Sequence, residues 1–349
     1  MKKKIIFPVL ACLLSGAILT YFFFTGTKNT VGSSIEKNSG NSIAYLSEDS
    51  QKQVIKVFNF NQEKFTKILQ IKQERDPYST SYYNQKENKT VVVTQQTIPY
   101  GYQVYLQNSS DIQNLGLLEG RVHEVILNKE YLYVLVYADD NSVYLKKFNL
   151  KNLDTPLKAW KLEGDPERLI LDEDSDKIYI LMRTNKTILY SLENGETLKQ
   201  KEILEQGYDL NATIEEGKLW ILPREILDNI KVKSKKNKEV KFIYCVNLLN
   251  LEFNSKIPTK YPPKFIEVDK EKIYVITGTP NESFLEIYNR QTYENEKILE
   301  LHLNTIYGFV NMKNENYIFA NNGIFKVKQN HLEKVLNEDI SSNTDFVIR

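Results

Sequence analysis

The residues most suggestive of metal chemistry are a short run of carboxylates. Residues 172–176 read DEDSD, and alternating carboxylates of this kind begin a calcium-binding EF-hand loop. Such a loop also needs glycine at its sixth position and glutamate at its twelfth, where this chain has Lys177 and Arg183. The sequence therefore predicts a solvated hairpin turn here instead of a calcium site.

The histidines give no stronger argument for a metal. His123, His302 and His331 are far apart and have no second histidine or cysteine at ligand spacing, whereas zinc and iron sites need several convergent ligands. The chain also lacks G-x-S-x-G, a glycine-rich phosphate loop and H-E-x-x-H. We predict no metal, no cofactor and no catalytic residues, although a hydrolytic triad assembled from distant residues stays open.

Charge argues against nucleic-acid binding. The 349 residues contain 46 basic and 45 acidic side chains, a net charge of +1, so no global attraction for phosphate is expected. One lysine-rich segment, residues 231–241 (KVKSKKNKEVK), could bind an anionic surface. A long solvated loop is favoured instead, because no aromatic residues are interleaved with the lysines.

The N-terminus has the pattern of a membrane signal-anchor. Residues 5–24 carry no charge and follow three lysines, and twenty apolar residues in a helix span about 30 Å, the thickness of a hydrocarbon core. The positive-inside rule places residues 1–4 in the cytoplasm and the rest of the chain outside. A cleaved signal peptide and a lipoprotein modified at Cys12 are the alternatives. Residues 25–41 are rich in Gly, Ser, Thr and Asn and predict a flexible tether.

Residues 42–349 repeat one strand-like motif. A short apolar run with β-branched and aromatic residues returns seven times, at intervals of 41 to 54 residues. The runs begin at Ile43, Val91, Leu132, Ile178, Leu219, Ile273 and Tyr317. Repeats of this length with strand-like content are typical of β-propeller blades.

Each repeat also contains further strands and turns. The run at Ile178 is followed by a polar turn, the alternating segment TILYSLENGE and a weaker strand LKQKEIL, and RLILDED precedes it. Four short strands with turns every 8–12 residues make a blade. The sequence thus predicts an all-β, seven-bladed propeller of four-stranded blades behind one transmembrane helix. Residues 345–349 (DFVIR) are predicted to supply the inner strand of the first blade and close the ring, with a frayed tail as the alternative.

The repeat resembles the YVTN type of propeller, in the quinoprotein-dehydrogenase-like class. Gly164, Asp165 and Pro166 precede the strand Leu169-Ile170-Leu171 and the strand at Ile178, and IYVITG at Ile273 is similar to the signature strand of that family. The resemblance implies the fold and no particular chemistry, because propellers host enzymes, binders and scaffolds.

The loops that lead into the inner strands carry tyrosines and arginines. In a propeller such loops gather around the axis at one face, and Tyr and Arg are enriched where proteins recognise partners. Packing between blades is the alternative for the tyrosines. The candidate recognition rim comprises Tyr82, Tyr100, Tyr102, Arg121, Arg168, Tyr208, Tyr261 and Tyr307.

These patterns predict a single-pass protein of the cell membrane with an extracytoplasmic propeller. We expect a binding or scaffolding module for a protein, a peptide or a cell-envelope polymer. The alternatives are a lactonase-like or quinoprotein-like propeller enzyme, and a structural subunit of an envelope complex.

Overall fold

The structure, a computed structural model, consists of antiparallel sheets that follow one another along the chain. It describes residues 42–49, 52–71, 79–84, 86–97, 100–108, 111–206, 208–226, 240–279, 282–303, 305–312, 315–328 and 331–337. In these residues the strands form seven separate sheets, and within each sheet the neighbouring strands are consecutive in sequence. The predicted all-β propeller with seven blades is therefore confirmed.

The blades are numbered from the N-terminus. Blade one contains β1 (Ser42–Asp49), β2 (Lys52–Asn59) and β3 (Lys64–Ile71). Blade two contains β4 (Ser79–Asn84), β5 (Lys89–Thr97), β6 (Tyr100–Asn108) and β7 (Asp111–Leu118). Blade three contains β8 (Arg121–Asn128), β9 (Tyr131–Tyr137), β10 (Val143–Asn149) and β11 (Lys158–Leu162). Blade four contains β12 (Asp165–Asp172), β13 (Lys177–Arg183), β14 (Thr187–Glu193) and β15 (Thr197–Leu204).

The last three blades have the same order of strands. Blade five contains β16 (Tyr208–Glu215), β17 (Lys218–Ile226), β18 (Phe242–Asn247) and β19 (Glu252–Pro258). Blade six contains β20 (Pro263–Val268), β21 (Lys272–Gly278), β22 (Ser283–Asn289) and β23 (Asn295–Glu300). Blade seven contains β24 (Ile306–Met312), β25 (Glu315–Ala320), β26 (Gly323–Val327) and β27 (Leu332–Leu336).

The burial of each strand explains the repeated apolar run. The second strands β9 and β13 each bury five consecutive residues, because a blade packs against a neighbour on both of its faces. Such strands have continuous apolar runs and no alternation. The outer strand β15 is mostly exposed and mostly polar. In blades two to seven the sequence repeat therefore marks the second strand, and in blade one it marks β1, the first described strand.

The ring closes through an aromatic cluster between blades seven and one. Phe58 of β2 is fully buried, and its ring lies 6.5 Å from that of Tyr317 and 6.0 Å from that of Phe319 in β25. Lys326 of β26 adds an ion pair to Glu63 in the turn between β2 and β3, at 3.2 Å. Blades one and seven thus share one core, although residues in contact there, such as Glu63 and Tyr317, are more than 250 positions apart in the sequence.

Several predictions concern residues outside this description. The anchor at residues 5–24, the tether at 25–41, most of the lysine-rich segment and the closing strand at 345–349 all lie outside the described residues. In the described part of the chain, no helix is long and apolar enough to cross a membrane. The DEDSD segment forms the turn between β12 and β13, as predicted, with Ser175 Oγ donating to Asp172 Oδ2 at 2.6 Å.

Candidate functional site

The first strand of blades two to seven lines the axis of the propeller. We call the end where these inner strands begin the entering end, and the end where they finish the exit end.

Inner strands of neighbouring blades do not pair as a sheet, so their backbone groups need other partners. Polar side chains supply some of them across blade boundaries: Asn84 Nδ2 to Leu127 O (2.9 Å), Leu169 N to Glu124 Oε2 (2.6 Å), Leu210 N to Glu167 Oε2 (3.1 Å) and Asn211 Nδ2 to Lys264 O (3.4 Å).

Blades three and four are also joined by a buried ion pair. Arg168 Nη1 donates to Glu124 Oε1 at 2.9 Å, and the two side chains are 3% and 7% exposed. Arg168 was predicted to lie on an exposed recognition rim. The structure corrects this, because a β-bulge between Pro166 and Arg168 turns the guanidinium into the blade boundary.

Bulges recur at the entering end of the inner strands. The strands β8, β12, β20 and β24 each contain one near their first residues. The extra residue in each is His123, Glu167, Lys264 and Tyr307, respectively. Burial and the nearby charges of Arg168 and Arg121 lower the pKa of His123 to about 4, so this imidazole is neutral at pH 7.

The exit end contains a cavity of about 490 Å³, which we call the exit cavity. It is lined by the last residues of the inner strands of blades two, four, five, six and seven, with Tyr82 and Tyr83 as the aromatic wall. Its charged lining comprises Lys86, Arg168, Lys270, Asp172, Glu173, Asp174, Glu215, Glu216, Glu267 and Asp269. Seven carboxylates thus face three cations, and one of these cations, Arg168, already pairs with Glu124.

Two carboxylates of the exit cavity, Glu215 and Glu267, are held in surroundings that disfavour their charged forms. Burial, reinforced by the charge of Glu215, raises the pKa of Glu267 from 4.5 to about 8. Burial also raises the pKa of Glu215, with contributions from Glu216, Asp174 and Asp269. Arg290 acts in the opposite direction on Glu215, but its guanidinium is paired with Glu216 at 3.1 Å. A cation in the cavity would relieve this repulsion.

Tyr82 lies at the exit end and not at the entering end where the sequence placed it. Its hydroxyl donates to Glu173 Oε1 at 3.4 Å, across the cavity wall from blade two to blade four. Burial and the charge of Glu173 raise the pKa of Tyr82 well above 10. The prediction was wrong because Ser79–Asn84 lacks the apolar alternation of the other inner strands. This segment was therefore interpreted as a loop at the entering end and not as an inner strand.

The remaining rim candidates do not form one surface. Tyr102 is only 2% exposed and packs between blades two and three. Arg121 is exposed at the entering end, with its guanidinium 5.2 Å from the centre of the Tyr137 ring. Tyr307 packs partly against the core shared by blades seven and one. The side chains of Tyr100 and Tyr208 lie outside the description.

Tyr261 is the rim candidate whose surroundings are best defined. It lies in the loop before β20, and its ring stacks on Phe284 of β22 with centroids 4.0 Å apart and planes at 5°. Arg121, Tyr261 and Tyr307 thus share the entering end, whereas Tyr82 lies at the other end of the axis.

Sequence reasoning missed the acidic lining of the exit cavity. A signal was present, because the inner strands of three successive blades end in DED at residue 172, EE at residue 215 and EVD at residue 267. Carboxylates at the same position of adjacent repeats meet at the axis. Among the described residues, no three His, Cys, Asp or Glu side chains are arranged to hold a metal ion.

Comparisons with known proteins give the fold and no family. No family model matches the chain, and no curated protein matches its sequence. Among solved structures, a functionally unknown protein from Desulfotomaculum acetoxidans DSM 771 is similar at a TM-score of 0.59 and 11% identity, over 85% of this chain and 98% of that one. A chain of a mitotic checkpoint complex matches at a TM-score of 0.57 and 9% identity, over 85% and 94%.

A third structural neighbour is described as a propeller in its own right. The Dos1 propeller matches at a TM-score of 0.52 and 14% identity, over 78% of this chain and 75% of that one. Identities this low show a shared fold alone. The class of protein is therefore a seven-bladed β-propeller, a fold consistent with a binding or scaffolding module.

Proposed function

We propose that this protein is a binding module whose exit cavity holds an organic cation, such as a lysine or arginine side chain presented by a partner protein. The observation that carries the proposal is the excess of carboxylates around a cavity of about 490 Å³. This volume lies in the range of small-ligand sites. Side chains with strongly shifted pKa values in a cleft are also typical of functional sites.

The composition of the cavity favours an organic cation over a metal ion. A metal needs several ligands at short, fixed distances, and no such group exists among the described residues. An ammonium or guanidinium group can instead share its charge among carboxylates that are spread along the wall, such as Glu215 and Glu267. Tyr82 would contact the aliphatic part or the cationic head of the ligand.

We further propose that residues 5–24 anchor the propeller to the cell membrane, with the body on the extracytoplasmic side. The lysines before this apolar run support that orientation. A protein, peptide or envelope polymer would then be the partner. The resemblance to the YVTN type of repeat belongs to the same proposal and rests on the residues around Gly164 and Ile273.

The cavity is tested with the full chain in detergent and a labelled peptide of alternating lysine and glycine, compared with a peptide containing glutamine in place of lysine. We expect fluorescence anisotropy at pH 8.5 to show binding of the lysine peptide only. The double variant Glu215→Gln/Glu267→Gln should weaken this binding by about tenfold, which equals about 1.4 kcal/mol.

The matched control is Glu333→Gln, which neutralises an exposed carboxylate on the outer strand β27. This variant should bind the lysine peptide normally. Equal affinity of the two peptides, or normal binding by the double variant, would rule out the exit cavity as a cation site.

A further inference from the structure

A second surface lies in blade six at the entering end. Tyr261 and Phe284 are stacked in parallel and both are partly exposed. Tyr261 belongs to the loop before the inner strand β20, and Phe284 to the third strand β22. In blade six, the pair therefore extends across the entering end from the inner strand to the third strand.

A buried carboxylate fixes the backbone beneath this pair. Glu286 of β22 is 0% exposed, and it accepts hydrogen bonds from the backbone N–H groups of Lys260 (3.0 Å) and Tyr261 (3.1 Å). The hydroxyls of Thr277 (2.7 Å) and Tyr288 (2.5 Å) also donate to it. Four donors compensate the cost of burying the charge and hold the loop in one conformation.

Blade four holds the corresponding loop in a different way. There Tyr190 occupies the corresponding fourth position of the third strand β14, and its hydroxyl accepts a single backbone hydrogen bond from Glu163 N at 3.2 Å. The loop before the inner strand is thus held in both blades. Blade six uses a buried carboxylate and two backbone hydrogen bonds for this purpose, one of them from Tyr261 itself.

Two lysines lie at the start of the inner strand β20, close in sequence to Tyr261. Lys264 is the bulged residue of β20, and its ammonium donates to Thr279 O at 2.8 Å. Burial lowers the pKa of Lys264. Lys260 places its ammonium 5.3 Å from the centre of the Tyr261 ring. This end of the blade therefore combines an aromatic surface with two lysines, Lys260 and Lys264.

We propose that the Tyr261–Phe284 pair and Lys264 form a docking surface for an acidic, extended segment of a partner protein. A carboxylate of that segment pairs with the Lys264 ammonium, and an adjacent apolar side chain packs on the aromatic pair. The charge is opposite to that of the exit cavity, so the two ends of the axis bind different partners. This proposal does not depend on the proposed cation site.

The test uses the full chain in detergent and a labelled eight-residue peptide of alternating aspartate and leucine. Its control peptide has asparagine in place of aspartate. We expect the aspartate peptide to bind and the asparagine peptide to bind about tenfold more weakly. Lys264→Met and Tyr261→Ala should each reduce binding of the aspartate peptide by about tenfold. Lys199→Met, which removes an exposed lysine from the outer strand β15, should leave it unchanged.

Glu286 is a positioning residue, and Glu286→Gln should lower both the affinity for the aspartate peptide and Tm. Should this variant not fold, the surface variants at Lys264 and Tyr261 still decide the matter. Equal binding of the two peptides, or normal binding by both surface variants, would overturn the proposal. It would also be overturned if anionic phosphatidylserine vesicles, and not the peptide, bound in a manner dependent on Lys264.

Discussion

Arg168 and Glu124, 44 residues apart in sequence, form a buried ion pair at 2.9 Å across the boundary between blades three and four. The same carboxylate accepts the backbone N–H of Leu169 at 2.6 Å. Glu124 therefore joins two inner strands that do not pair as a sheet. A charged residue of an inner strand can thus be part of the structure of this propeller.

This pair predicts a large difference between two arginines. Arg168→Ala leaves the Glu124 charge buried without its partner and should destabilise the protein by about 3–5 kcal/mol. Arg121→Ala removes an exposed guanidinium and should cost less than about 1 kcal/mol. Urea unfolding of both variants checks the prediction, and similar losses for both would contradict it.

The core shared by blades seven and one predicts how the ring is held closed. Phe58→Ala should cost about 3–5 kcal/mol, because it leaves a cavity against Tyr317 and Phe319. Phe253→Ala, at a phenylalanine that is 51% exposed on the outer strand β19, is the matched control and should have a small effect. Thermal unfolding compares the two, and a loss at Phe253 as large as at Phe58 would argue against closure through this core.

Deleting the last eight residues tests the predicted closing strand. If residues 345–349 add an inner strand to blade one, the loss of Phe346 and Val347 should cost about 3–5 kcal/mol. A truncated chain with the Tm of the full chain would show that these residues do not contribute to the fold. Replacing both residues by serine, without truncation, separates the effect of the side chains from that of chain length.

The pKa of Glu267 predicts a pH dependence of stability. Because folding raises this pKa from 4.5 to about 8, the folded state binds more protons than the unfolded state between these values. The contribution of Glu267 to stability therefore falls as pH rises from about 4.5 to about 8. As pH rises from about 4.5 to about 8, the Tm of the wild-type protein should fall relative to the Tm of Glu267→Gln. A wild-type Tm that instead rises relative to that of the variant over this range would contradict the prediction.

The N-terminal anchor is tested by mass spectrometry of the mature protein. Retention of residues 1–24, with the body accessible to protease from outside the cell, is the expected result. A mature N-terminus at Cys12 or after Phe24 would instead show a lipoprotein or a cleaved signal peptide.

Within blades, the sequence was sufficient to predict the fold. Buried second strands need apolar side chains on both faces, so runs such as those at Leu132 and Ile178 return in every blade. Polar turns separate the strands, as at residues 172–176. These are local requirements of strands and hairpins, and a sequence displays them directly. The inner strand β4 was missed because its sequence, STSYYN, has no such pattern.

The positions of side chains around the axis depended on the tertiary structure. Inner strands of neighbouring blades meet about 45 residues apart in sequence, so no local pattern reveals that Arg168 pairs with Glu124. That Glu215 lies near Glu267 can be found from the sequence only by comparing the ends of the inner strands in successive repeats. A bulge of one residue decides whether a side chain points toward the axis or into a blade boundary. Tyr82 lies at the exit end because β4 begins before it, whereas Tyr261 lies at the entering end because β20 begins after it. For these reasons the sequence by itself determined the blades, and only their assembly into a ring determined which residues can act together.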